Sequence, residues 1–184
     1  TPHTDRTSEY DLRRELPAHY IIHTERMWLE DVTIESEKKM LEEELPRAIK
    51  YIKDLNLDLV IFGCTSAGAI YGPEGDERIV QMIEKETKCL VISVYGAVNR
   101  QLKETEGEKV AVMTPYIESV TERVVESLQE EGASVSTSVV MGIINDIEIG
   151  SLKPDEIEQF IMKHKDQIKD NDTLFMSCTN LRAV

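Results

Sequence analysis

Asp58-Leu59-Val60-Ile61-Phe62-Gly63-Cys64-Thr65-Ser66 is an apolar run that ends abruptly in a thiol and two hydroxyls. The same order recurs at Thr173-Leu174-Phe175-Met176-Ser177-Cys178-Thr179-Asn180. Both read as short β-strands. Their near-continuous apolar character is that of parallel strands covered on both faces. Each places a cysteine at a strand's C-terminal tip, the end beyond which parallel α/β folds bind their ligands. The turn after such a strand exposes successive backbone N–H groups, which suit a carboxylate or an enediolate and can lower a thiol's pKa. A free cysteine near a strand end is more often a packing residue. Two at equivalent ends, each followed by Thr, make Cys64 and Cys178 candidates for chemistry. Cys89 follows Thr87-Lys88 at the start of a strand and reads as structural.

Outward from these two segments, further strands are expected at residues 19–24, 89–94, 109–113 and 134–141, alternating with helical patterns. Leu41, Leu45, Ala48, Ile49 and Ile52 form one apolar stripe, Val120, Val124, Val125 and Leu128 another, and Ile157, Phe160, Ile161 and Ile168 a third. Pro46 is expected to kink or restart the first helix, Gly132 to end the second, and Pro154-Asp155-Glu156 to open the third. The Glu-rich stretch 35–44 reads as a solvated helix face. Strands alternating with helices imply an α/β fold with a mainly parallel sheet flanked by helices.

The chain has 184 residues, 41% of them apolar, enough for one compact domain or two small lobes sharing a site. A net charge of −14 disfavours nucleic acid and anionic membranes as partners but leaves room for a small anionic substrate held by local N–H donors. No apolar run is long enough to span a bilayer and no basic-then-apolar leader opens the chain, so a cytoplasmic location is expected. Three widely spaced cysteines without a C-x-x-C pattern argue against structural zinc and a disulfide framework. His3, His19, His23 and His164 are scattered and suggest no metal site.

Several separate motifs agree with one family. Gly63-Cys64-Thr65-Ser66-Ala67-Gly68, Thr114-Pro115-Tyr116 and Ser177-Cys178-Thr179-Asn180-Leu181-Arg182-Ala183, with Ala97-Val98-Asn99-Arg100 and Gly142-Ile143-Ile144-Asn145-Asp146 between them, resemble the maleate cis–trans isomerase and arylmalonate decarboxylase branch of the aspartate/glutamate racemase superfamily. The resemblance implies two pseudo-symmetric α/β lobes with the active site in the cleft between them: residues 1–93 carrying Cys64 and 94–184 carrying Cys178. It implies a cofactor-independent enzyme in which Cys64 is the nucleophile and Cys178 the acid/base partner. Tyr116 would bind a substrate carboxylate and Asn145 contact substrate, with Thr65, Ser66, Thr179 and Asn180 supplying donors. A homodimer or higher homo-oligomer is the family's expectation.

The branch offers more than one reaction. A thiolate can add to the double bond of an unsaturated dicarboxylate, allow rotation about the resulting single bond, and leave. Two thiols flanking one carbon can instead racemise aspartate, glutamate or a related carbon acid. The decarboxylases of the branch keep only the second thiol, so Cys64 favours the first two reactions, and the T-P-Y and C-T-N-L-R-A motifs favour isomerisation. A ligand-binding domain without turnover is a further possibility. Against the family pattern, the first residues begin within a substrate-contacting loop, without the strand that precedes it, and the family's segment after the second cysteine is expected to be missing. Asp5 falls in that loop where the isomerases carry Asn. It would repel a dicarboxylate unless offset by Arg6 or a proton, and could pair with the ammonium of an amino acid.

Overall fold

The computed structural model describes residues 1–104 and 109–182. Ala183 of the last motif lies outside them. In chain order the elements are α1 (Ser8–Glu15), α2 (Ile34–Lys39), a π-helical turn (Met40–Glu44), α3 (Leu45–Ile52), β1 (Leu59–Phe62), α4 (Thr65–Ala69), α5 (Pro73–Thr87), β2 (Leu90–Ser93), α6 (Val94–Glu104), β3 (Lys109–Thr114), α7 (Glu118–Glu130), β4 (Ser134–Val140), α8 (Asp146–Ile149), α9 (Pro154–Lys163), α10 (Lys165–Ile168) and β5 (Thr173–Met176). The strands form two parallel sheets, β1-β2 and β4-β3-β5. Every strand-to-strand connection carries helix, as parallel pairing requires. The fold is α/β with two sheets, one leading into each cysteine.

β3 is the best-covered strand. After Lys109 its residues are all buried, with Ala111, Val112, Met113 and Thr114 fully so. It pairs on one side with β4 and on the other with β5, bringing Met113 opposite Met176. That register places Tyr116, just past the end of β3, beside Ser177 and Cys178, just past the end of β5. Gly132 ends α7 with φ +95°, as its position suggests.

Three expectations change. Residues 19–24 form no strand: Ile21 is 83% exposed, and the segment has no sheet edge on which to bury its alternate side chains. Strands β1 and β2 are not covered on both faces, since Leu59, Ile61 and Leu90 remain exposed. The third apolar stripe is two helices rather than one. His164 leaves helical geometry at φ −101°, ψ 9°, with its ring Nδ1 against the Phe160 carbonyl.

Pro46 acts through its missing N–H. It sits in the first turn of α3, and the residues before it widen into the π turn. A π turn shifts the hydrogen-bond ladder where a proline would otherwise leave a carbonyl unmatched and clash with it. The face that re-emerges carries Leu45, Ala48 and Ile49 into the core.

Cys64 is set by a close approach of α4 to α6. A Cβ at Gly68 would lie 2.5 Å from the Tyr95 Cβ and 2.9 Å from Asp76 Oδ1. Tyr95 is fully buried and its hydroxyl is hydrogen-bonded to Ser127, so it cannot yield. Gly68→Ala should therefore lower stability by about 1–3 kcal/mol despite alanine's better helix propensity. Urea denaturation would show this as a lower midpoint with an unchanged m-value.

Candidate active site

Cys64 and Cys178 line one cavity, together with Pro2, Asp5, Leu29, Val32, Glu37, Thr65, Ser66, Tyr116, Asp146, Thr179 and Asn180. The cavity is small, about 10 Å³, roughly the room of a single water. No Lys, Arg or His stands among these lining residues, while three carboxyl groups do.

The two thiols are held differently. Cys64 is buried and extended (φ −155°) at the start of α4, with its sulfur 3.8 Å from Ser66 Oγ and the Ala67 N–H directed at it. Burial pushes its thiol well above the ordinary range, and the Glu37 carboxyl beside it adds to the rise. Cys178 adopts φ +129°, a conformation that non-glycine residues rarely take and that stores about 1–3 kcal/mol of strain. The fold holds it there from both sides: Ser177 N–H donates to the Met113 carbonyl at 2.9 Å, and Asn180 N–H donates to the Cys178 sulfur at 3.4 Å. Burial lifts the Cys178 thiol to about 12, with Asp146 contributing and Tyr116 opposing through a hydrogen bond to the sulfur. Tyr116 itself is buried, 3.4 Å from Ser177 Oγ, and its phenol is pushed well up by burial, so it is a neutral donor.

Of the residues singled out in the sequence, Cys64, Thr65, Ser66, Tyr116, Cys178, Thr179, Asn180 and Asp5 all reach the cavity. Asn145 does not. It is exposed and caps α8, accepting from the Ile147 and Glu148 N–H groups at 3.1 and 3.2 Å. An Asn ahead of a helix is the residue type best suited to that work. Its neighbour Asp146 is the one that turns inward. It accepts from Thr4 Oγ1 at 2.5 Å and Asn180 Nδ2 at 3.1 Å, and burial raises its pKa.

Asp5 has little left for a substrate. Its Oδ1 accepts from the Thr7 and Ser8 N–H groups, both at 3.0 Å, and its Oδ2 accepts from Ser8 Oγ and from Thr179 Oγ1. Four donors hold it as an anchor for the N-terminal segment. The side chain of Asn180 is spent in the same way: Oδ1 accepts from Arg6 N–H at 2.8 Å, and Nδ2 donates to the Asp146 carbonyl at 2.9 Å.

Glu37 was not expected here. It lies within the stretch read as a solvated face, yet it is fully buried, while Glu35, Glu42 and Glu43 are exposed as that reading requires. Its Oε1 accepts from Ser66 Oγ and its Oε2 has no partner. Burial raises its pKa to about 8, with Asp146 adding to the rise. The signal in the sequence was periodicity. Glu37 stands four residues before Leu41, on the stripe that turns toward the core.

That pKa has a consequence for stability. Folded Glu37 keeps its proton up to about pH 8, whereas unfolded it ionises near 4.5. Stability should therefore fall as pH rises between these values, by up to about 1.4 kcal/mol per pH unit, and level off above. Glu37→Gln keeps an acceptor for Ser66 but has no proton to lose. Urea unfolding from pH 4 to 9 should show the variant gaining on the wild type across this window.

A family model described as arylmalonate decarboxylase matches residues 23–184. The maleate isomerase of Geobacillus stearothermophilus is 25% identical over 177 residues, covering 93% of this chain and 70% of its own. In three dimensions the chain superposes with a TM-score of 0.88 on the maleate isomerase of Pseudomonas putida crystallised with maleate. The two are 20% identical, with 100% of this chain and 77% of that one covered. The maleate cis–trans isomerase of Nocardia farcinica, in a mutant form carrying a covalently bound succinylcysteine intermediate, superposes at 0.87 with 22% identity, covering 99% and 77%.

Proposed function

The chain belongs to the arylmalonate decarboxylase family, and from that membership we propose that it is a cofactor-independent isomerase of the maleate isomerase type. The observation that carries the reading is the pairing of two thiols, each at the end of a parallel strand, on the walls of one cavity. Residues 1–93 form the lobe bearing Cys64 and residues 94–184 the lobe bearing Cys178. Among the described residues no helix is long and apolar enough to cross a membrane. A cytoplasmic setting, which keeps both thiols reduced, and a homo-oligomeric state belong to the same reading.

In this mechanism the Cys64 thiolate adds to one alkene carbon of a cis-unsaturated dicarboxylate. A carbon–sulfur bond forms, and the π pair moves onto the neighbouring carbon and its carboxylate. The former double bond is now single and rotates; expulsion of the thiolate restores it in the trans form. Cys178, on the other wall, gives and takes back the proton at the carbon that receives the pair. Thr65, Tyr116 and the backbone N–H groups after each cysteine, that of Ser66 among them, hold the carboxylates. A four-carbon diacid is larger than the space free in the cavity, so binding it requires the walls to widen.

Proton NMR of maleate incubated with the enzyme should show the fumarate signal appear. Cys64→Ala and Cys178→Ala should each slow conversion by on the order of 10³-fold or more. Because burial raises the Cys64 thiol, the reactive thiolate is scarce at neutral pH, and kcat should climb from pH 6 to 9. A kcat independent of pH, or conversion that survives Cys64→Ala, would remove Cys64 from its role.

One observation favours a second reading. A cavity lined by three carboxyl groups and no basic side chain suits a substrate bearing an ammonium, as in a two-thiol racemase of aspartate, glutamate or a related carbon acid. In heavy water that enzyme would wash deuterium into the α-position of the amino acid. Loss of carbon dioxide from an arylmalonate would instead assign the decarboxylase reaction of the family.

A further inference from the structure

Three acidic side chains line the cavity, and two of them are tied to the protein. Asp5 has four donors shared between its two oxygens, and Asp146 accepts at Oδ2 from Thr4 and Asn180. Glu37 differs. It is fully buried, one carboxyl oxygen is engaged by Ser66, and the other has no partner although it belongs to the wall of the site. A buried, unpartnered carboxyl oxygen is unfavourable unless a ligand completes it. The groups that act on Glu37 electrostatically are Asp146 at the start of α8, the Cys64 thiol and the Tyr116 phenol; Asp5 and Cys178 line the same cavity, and the α-amino group of Thr1 interacts with Cys64. None of the side chains among them is a cation that could neutralise an ionised Glu37.

We propose that Glu37 binds substrate as a neutral carboxylic acid, its Oε2–H donating a hydrogen bond to one carboxylate of the dicarboxylate. This deepens the isomerase reading and rests on it. It also shows how an acidic cavity accepts a dianion: the acid nearest the reacting thiol enters the complex as a donor rather than as a like charge. Ser66 supports the assignment. By donating to Oε1 it leaves Oε2 as the oxygen that carries the proton and faces the ligand. With Glu37 titrating near 8, the donor is present at neutral pH and is lost above it. Ionised, the same group would repel a carboxylate and attract an ammonium, so the two candidate substrate classes call for opposite pH dependences.

The test is calorimetric titration of maleate into the Cys64→Ala variant, which binds without reacting, between pH 6.5 and 9.5. The dissociation constant should be nearly constant up to about pH 7.5 and should rise about tenfold per pH unit above 8. In the Cys64→Ala background, adding Glu37→Gln, whose amide still donates, should hold affinity near the neutral-pH value and abolish the rise. A measurement that needs no substitution of Glu37 is proton uptake: at pH 8.5, comparison of buffers with different ionisation heats should show roughly three-quarters of a proton taken up per maleate bound. An unchanged pH dependence in the Gln variant, or no proton uptake, would overturn the inference while leaving maleate turnover by the wild type to stand for the isomerase reading. Affinity that tightens above pH 8 would overturn it in favour of an ammonium partner. Failure of maleate to bind at any pH would overturn it together with the isomerase reading.

Discussion

The site depends on the buried side chain of Asn180. Its carbonyl oxygen accepts from Arg6 N–H at 2.8 Å and from Thr7 Oγ1 at 3.4 Å, and its amide donates to the carbonyl and carboxyl of Asp146. One amide therefore joins the N-terminal segment, the start of α8 and the turn after β5, which are 174 and 34 residues away in sequence. The closeness of these segments leaves no space for a side chain behind it: a Cβ at Gly150 would fall 2.6 Å from Asn180 Oδ1. An amide suits this position because it carries donors and an acceptor without a charge that would need solvating.

The same packing that builds the cavity makes its chemistry. Removing water from Glu37, Asp146, Cys64, Cys178 and Tyr116 pushes every one of their pKa values upward, because burial penalises the charged form of each. The cavity thus carries less negative charge than its residue list suggests. A neutral acid or phenol is a hydrogen-bond donor, so Glu37 and Tyr116 add donors rather than charge to the wall of the cavity. The thiols are correspondingly poor nucleophiles at rest. The local donors around them, the Ala67 N–H at Cys64 and the Asn180 N–H and Tyr116 hydroxyl at Cys178, act against the dominant effect of burial.

Cys178 sits in a backbone conformation that the surrounding packing imposes. A glycine would take φ +129° without strain, yet the thiol is there. The pairing of β5 with β3, the Ser177 N–H on Met113 and the Leu181 N–H returning to the Cys178 carbonyl over-determine the turn and hold the strained backbone in place. Strain of this kind aims a side chain at a point that relaxed geometry would miss.

Much of this was legible in the residues. The five strands from β1 to β5 follow from apolar runs too short for helices, and the two cysteines stand out because each ends such a run with a Thr after it. Pro46, Gly132 and Pro154 marked helix boundaries through local stereochemistry, which needs no partner. What escaped was decided by neighbours distant in sequence. Residues 19–24 carry a short apolar run like a strand's but meet no edge to pair with, and Asn145 caps a helix while Asp146 enters the site. Glu37 shares the register of Leu41, yet its charge reads as solvated, like that of its acidic neighbours, until packing buries it. Periodicity, turn chemistry and the placement of the thiols are local properties, so the sequence by itself determined where β1 to β5 fall and set two cysteines apart as candidates for chemistry. Which carboxyl groups are solvated, anchored or left without a partner depends on burial and donors supplied by other segments, from 29 to 174 residues away, and only the tertiary structure decided that.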